Sequence, residues 1–97
     1  MATFIWVGNF TEQGMRTIKD TTKRSEAARE LAKKHGVTIK DMYWTVGMYD
    51  LVAIFEAADA EAVSAFGLTI GQSGNLTGQT LRAFSKDEMN KVLAKVG

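Results

Sequence analysis

The sequence predicts an α+β fold, a four-stranded antiparallel sheet with helices on one face and a further helix at the C-terminus. Three observations predict it. Strand-like apolar runs alternate with amphipathic helical stripes in the order strand, helix, strand, strand, helix, strand. Two of the strand-like runs are apolar on both faces, whereas the other two carry charged residues. The chain has 97 residues, enough for one core and too few for two, so residues 1–97 read as a single domain.

The first strand covers Thr3–Phe10, with Phe4, Trp6 and Phe10 on one face and Ile5 and Val7 on the other, a pattern suited to a strand covered on both sides. A short helix follows from Thr11 to about Ile18. Thr11 is its cap and Phe10 and Met15 have the spacing of a hydrophobic staple, although Gly14 stands where a capping box has glutamate. Lys19-Asp20-Thr21-Thr22 re-caps the chain for the main helix, Arg24–His35. That helix sets Ala27, Ala28, Leu31 and Ala32 on a stripe opposite Glu26, Arg29, Glu30 and Lys33. Its end, Lys33-Lys34-His35-Gly36, supplies basic last-turn residues and a C′ glycine.

The second strand covers Val37–Val46 and carries Lys40 and Asp41. Gly47-Met48-Tyr49-Asp50 makes the turn, and Leu51–Ala57 is the third strand, again apolar throughout most of its length. Asp59 caps a helix that turns Ala62, Val63, Phe66 and Ile70 inward and stops at the glycines at 71 and 74. Gly78–Phe84 is the fourth strand and includes Gln79 and Arg82. Ser85-Lys86-Asp87-Glu88 then fits a capping box, with Phe84 and Met89 as the staple of a last helix.

This succession is the ferredoxin-like βαββαβ order plus a C-terminal helix, and that arrangement has the sheet order 4-1-3-2. The first and third strands are then central, where the runs apolar on both sides fall, and the charged second and fourth strands lie at the edges. Both repeat helices cover one face. The other face, still apolar on the central strands, needs a cover. A second copy packed sheet against sheet supplies it, giving a homodimer or higher oligomer. The C-terminal helix folded back over the sheet is the alternative.

Composition excludes several classes of function. The chain has no cysteine and one histidine, which leaves no disulfide, no thiolate nucleophile and no Cys/His metal site. Twelve basic residues stand against eleven acidic ones, so the basic excess of a nucleic-acid partner is lacking. No apolar run approaches the ~20 residues of a membrane span, and the chain opens directly into Thr3-Phe4-Ile5-Trp6-Val7. A cytoplasmic protein with no cofactor is expected. His35 has the pKa range of a general base, but its place in a helix's last turn suits a residue that satisfies terminal carbonyls. Gly67, Gly71, Gly74 and Gly78 follow a helix rather than opening one, and lack the Gly-Lys-Ser/Thr ending of a phosphate loop.

The turn Gly47-Met48-Tyr49-Asp50 ahead of Leu51-Val52-Ala53-Ile54 reads, on structure alone, as a tight hairpin that sets register. Here the chain resembles the GYD-domain family of small bacterial proteins. Nearly the whole chain takes part: Gly8-Asn9-Phe10-Thr11 with Gln13-Gly14, Ile18-Lys19-Asp20, Tyr43-Trp44-Thr45, Gly74-Asn75 and Thr80-Leu81-Arg82-Ala83-Phe84. The resemblance implies a ferredoxin-like, dimeric α/β-barrel type of assembly and no particular activity. The turn is also similar to that of the effector-sensing domain of leucine-responsive regulators, which dimerises and binds small molecules between subunits. The helix-turn-helix of those regulators is not in this sequence, so the comparison stays at the level of fold.

Asn9, Trp44, Tyr49, Asp50 and Arg82 are the candidate ligand-binding residues, with Asn9 and Arg82 as polar groups in otherwise apolar strands. They line a pocket between subunits if they point to the open face, or satisfy one another if they do not. No residue is singled out as catalytic or metal-binding. The leading expectation is a homo-oligomeric small-molecule-binding or sensing module without catalysis. The alternatives are a cofactor-free monooxygenase or isomerase of the dimeric α/β-barrel class, drawing on Asn9, His35, Trp44, Tyr49 and Asp50, and a structural assembly subunit.

Overall fold

Strand β1 (Ala2–Phe10) runs through the middle of the sheet in the computed structural model, which describes residues 1–97. It is followed by α1 (Glu12–Arg16), a 3-10 turn over Ile18–Asp20, α2 (Thr21–Lys34), β2 (Val37–Trp44), β3 (Leu51–Ala57), α3 (Ala60–Gln72), β4 (Leu76–Ala83) and α4 (Lys86–Leu93). The strands form one antiparallel sheet in the order β2-β3-β1-β4, the ferredoxin-like order expected from the apolar runs. The two most apolar runs, β1 and β3, are central, where each pairs with a neighbour along both edges.

Register divides the side chains between two faces. Phe4 stands opposite Phe55, and Trp6 opposite Ala53. These side chains face α2 and α3, and Phe4, Leu51, Ala53, Phe55, Val37 and Ile39 are buried there with Ala32, Val63 and Phe66. Phe55 meets Phe66 edge-on, ring centroids 5.5 Å apart, so the quadrupoles add to the burial of two large rings. On the opposite face Ile5 pairs with Ile54 and Val7 with Val52, with Leu81 beside Ile5 and Tyr43 beside Val52. These side chains are half-buried at most. Helix α4 buries none of its residues, so it is not the cover of this face.

Several boundaries differ from the sequence expectation, each for a physical reason. Helix α2 starts at Thr21 rather than Arg24, because the 3-10 turn runs directly into it. Strand β4 starts at Leu76, since Leu76 and Thr77 already pair with Phe10 and Asn9. Strand β2 ends at Trp44, and its register slips between Ile39 and Asp41. Lys40 is therefore a bulge residue. Ahead of it Val37 and Ile39 face the helices; beyond it Met42 and Trp44 do, because one extra residue exchanges the faces of everything that follows. Arg29 Nη1 donates to the Ile39 carbonyl at the bulge, 2.7 Å away.

Residues 45–50 form an open loop instead of a tight turn. The Thr45 N–H donates to the Asp50 carbonyl at 2.8 Å, and the Thr45 hydroxyl donates to the Tyr49 carbonyl. Gly47 takes φ 129°, a region that a side chain would strain.

Candidate functional site

Most of the residues that carry the family resemblance converge at one end of the sheet. The Asp50 backbone N–H donates to the Gly8 carbonyl (2.9 Å) and to Asn9 Oδ1 (3.0 Å). Asp50 Oδ2 in turn accepts from the Phe10 N–H at 3.0 Å. Each strand end thus supplies a side chain that satisfies the other's backbone, which ties the 45–50 loop to the end of β1. Tyr49 is half-buried beside them.

The same strand end grips the loop between α3 and β4. The Thr11 N–H donates to the Asn75 carbonyl at 3.0 Å, and its hydroxyl donates to the Gly74 carbonyl while accepting from the Gly14 N–H. Gln13 Nε2 donates to the Ser73 carbonyl (2.9 Å) and to Asn75 Oδ1 (3.0 Å). Gly14 is a glycine by necessity, since a Cβ there would lie 2.2 Å from the Asn75 carbonyl oxygen. That close approach explains why the capping-box glutamate is absent.

Between the sheet and α2 and α3 lies a cavity of about 240 Å³. Trp6, Met42, Leu31, Phe55, Phe66 and Ile70 are among its apolar walls. Trp6 reaches it by lying flat across a glycine pair: Gly8 is opposite Gly78, and a Cβ on Gly78 would stand 2.2 Å from Trp6 Cζ2. Trp44 lines it from the end of β2, and its indole Nε1–H donates to Thr21 Oγ1 at 3.0 Å, bridging the sheet to the first turn of α2. Thr21, Arg24, Ser25, Ser73 and Asn75 give the lining its polar part.

Of the residues proposed from sequence, Trp44 lines this cavity; Asn9, Tyr49, Asp50 and Arg82 do not. Asn9 and Asp50 pair in the collar just described. Arg82 is opposite Phe4, five positions from the Asn9–Thr77 pair, or about 17 Å along the strand. Its guanidinium lies 5.6 Å from the Phe4 ring centroid and 4.7 Å from that of Phe84. It donates to Glu88 Oε2 at 3.1 Å, fastening β4 to α4. The Ser85 backbone N–H first, and then Arg82, hold the Glu88 carboxyl below its ordinary 4.5. His35 shares neither site: Nδ1 is 3.1 Å from the Leu31 carbonyl and Nε2 is 3.4 Å from Thr69 Oγ1, the terminal-carbonyl role expected of it.

Arg24 and the cavity itself escaped the sequence. The cavity walls come from separate elements, and only the bulge at Lys40 brings Met42 and Trp44 to that side. The one available signal was the small pair Ala27 and Ala28 on the helix stripe that faces large strand residues.

A ferredoxin-like sheet whose end is tied by Asn9, Asp50 and the 73–75 loop defines the class. The chain belongs to the GYD domain family, whose model matches residues 4–93. A relative from Thermus thermophilus, named glutamine synthetase and cystathionine beta-lyase binding protein, is 33% identical over 84 residues, which cover 86% of this chain and 88% of that protein.

Proposed function

We propose that this chain is a single-domain, homo-oligomeric binding module without catalysis, which takes a small molecule between its sheet and helices and engages protein partners from its surface. The cavity carries the reading. It is a half-open pocket of about 240 Å³ with mostly apolar walls and a few polar groups, the makeup of a small-molecule site. Small side chains at Ala27 and Ala28 help to keep the space open.

Self-association is supported by the open face, where Ile5, Val7, Val52, Ile54 and Leu81 adjoin one another in register. A second copy packed face to face about a two-fold axis would bury these side chains against their equivalents. The partner class follows from the Thermus relative, whose name is that of a protein that binds two enzymes. No helix is long and apolar enough to cross a membrane, and a cytoplasmic setting suits enzyme partners. The cofactor-free enzyme reading draws less support, because of its polar groups only Trp44 lines the cavity.

Size-exclusion chromatography with light scattering, together with a thermal-shift panel of amino acids, nucleotides and aromatic acids, tests the proposal. The wild-type protein should run as a dimer or larger, and Ile54→Glu should run as a monomer with an unchanged circular dichroism spectrum. At least one ligand class should raise the melting temperature by binding the folded state. A monomeric wild type sinks the oligomer, and a flat panel sinks the small-molecule role. Surface plasmon resonance against glutamine synthetase and cystathionine beta-lyase tests the protein partners, and silence with both removes that part.

A further inference from the structure

We infer that the cavity takes a small anion with an apolar body, an aromatic or branched carboxylate, and that Arg24 receives the carboxylate. This rests on the small-molecule reading above and specifies its ligand.

Size comes first. A dry apolar cavity of about 150 Å³ holds benzene, so about 240 Å³ accommodates roughly ten non-hydrogen atoms. A nucleotide is too large, whereas one ring with a short acidic arm fits. Leu31, Met42, Phe55, Phe66 and Ile70 offer such a body no polar group to pair with, so the body must be apolar.

Charge comes second. The side-chain ion pairs employ Arg16, Lys33, Lys40 and Arg82, and none employs Arg24. Arg24 is held by neutral acceptors instead. Nη1 donates to the Thr17 carbonyl and hydroxyl, each at 2.8 Å, and Nη2 donates to the Gly14 carbonyl at 3.3 Å. Those bonds fix the guanidinium in place without neutralising it. A guanidinium has five N–H donors, so some remain for a ligand. Thr21 and Ser25 are beside it in the lining, and Asp20 makes no side-chain cap at the start of α2. A carboxylate pairs with the half-exposed charge of Arg24, a neutral ligand does not, and a cation would be repelled.

Trp44 completes the site. Its bond to Thr21 joins β2 to α2 beside Arg24, so a ligand that displaces or stacks on the indole changes the tryptophan signal.

Titration of the purified protein with phenylacetate and with 2-phenylethanol, followed by tryptophan fluorescence and calorimetry, tests the inference. Phenylacetate should bind at least about tenfold more tightly than the alcohol, the margin of one charge-assisted contact. Arg24→Gln should bring the acid down to the alcohol's affinity and leave the alcohol's unchanged, which also shows that the cavity survives the substitution. Ala28→Phe should abolish both. Equal affinity of acid and alcohol for the wild type overturns the inference, as does an Arg24→Gln variant that loses both alike. If neither probe binds while light scattering still shows an oligomer, the inference falls and self-association stands. Chromatographic conversion of phenylacetate would overturn the non-catalytic reading instead.

Discussion

The backbone N–H of Asp50 donates to Asn9 Oδ1 at 3.0 Å, joining residues forty-one positions apart, while the Asp50 carboxylate accepts from the next residue, Phe10. The family's aspartate is thus occupied in closing the loop onto β1. The pairing engages one oxygen of each side chain, and the collar supports the cavity end of the sheet instead of lining the cavity.

Asp50→Ala should therefore act on stability before binding. It removes the acceptor of the Phe10 N–H, a charge-assisted bond in a half-buried place, and should cost about 1.5–3 kcal/mol. Asn9→Ala should cost less, about 1 kcal/mol, because the Asp50 N–H keeps the Gly8 carbonyl as a second acceptor. Urea unfolding of the two variants measures both. An Asn9→Ala loss larger than that of Asp50→Ala would contradict this reading of the collar.

Glu88 gives the fold one acid-sensitive link. Its pKa is lowered in the folded protein, by the Ser85 N–H and then by Arg82. A group with a depressed folded pKa contributes stability that is present above its unfolded value, near 4.5, and is lost as pH falls through the folded value. Glu88→Gln keeps an acceptor for the capping box but has no charge for Arg82. Melts from about pH 7 to about pH 3 should show the variant less stable at neutral pH and the difference shrinking as pH falls below 4.5. A difference that stays constant across the range would mean that the charge of Glu88 contributes nothing.

The order of the elements was legible because position in the sheet leaves a compositional mark: β1 and β3, each paired along both edges, are the most apolar runs. The caps at Asp59 and Ser85 were legible too, being local chemistry. Asn9 and Asp50 stood out by residue type, but the type of a polar residue does not say whether its partner is a ligand or a backbone amide. Arg82 stood out in the same way, and its partners Phe4, Phe84 and Glu88 lie partly in distant sequence. The cavity left no mark beyond the small pair Ala27 and Ala28. A space is defined by what several elements fail to fill, and its walls depend on a bulge.

That bulge supports the sharpest test of how sequence sets the site. Lys40 is the extra residue of β2, so its deletion should restore continuous pairing with β3. Alternation would then keep Met42 and Trp44 toward the helices, opposite Ala53 and Leu51, with Asp41 and Tyr43 still on the open face. What changes is the backbone at Ile39, whose carbonyl loses its place against Arg29, a charge-assisted bond of about 1.5–3 kcal/mol. The deletion should therefore destabilise by about that amount in urea unfolding, while Trp44 keeps its bond to Thr21 and tryptophan emission stays as in the wild type. A red shift of tryptophan emission in protein that is still folded would report a flipped strand, and would mean that pairing with β3 does not set the register beyond Ile39.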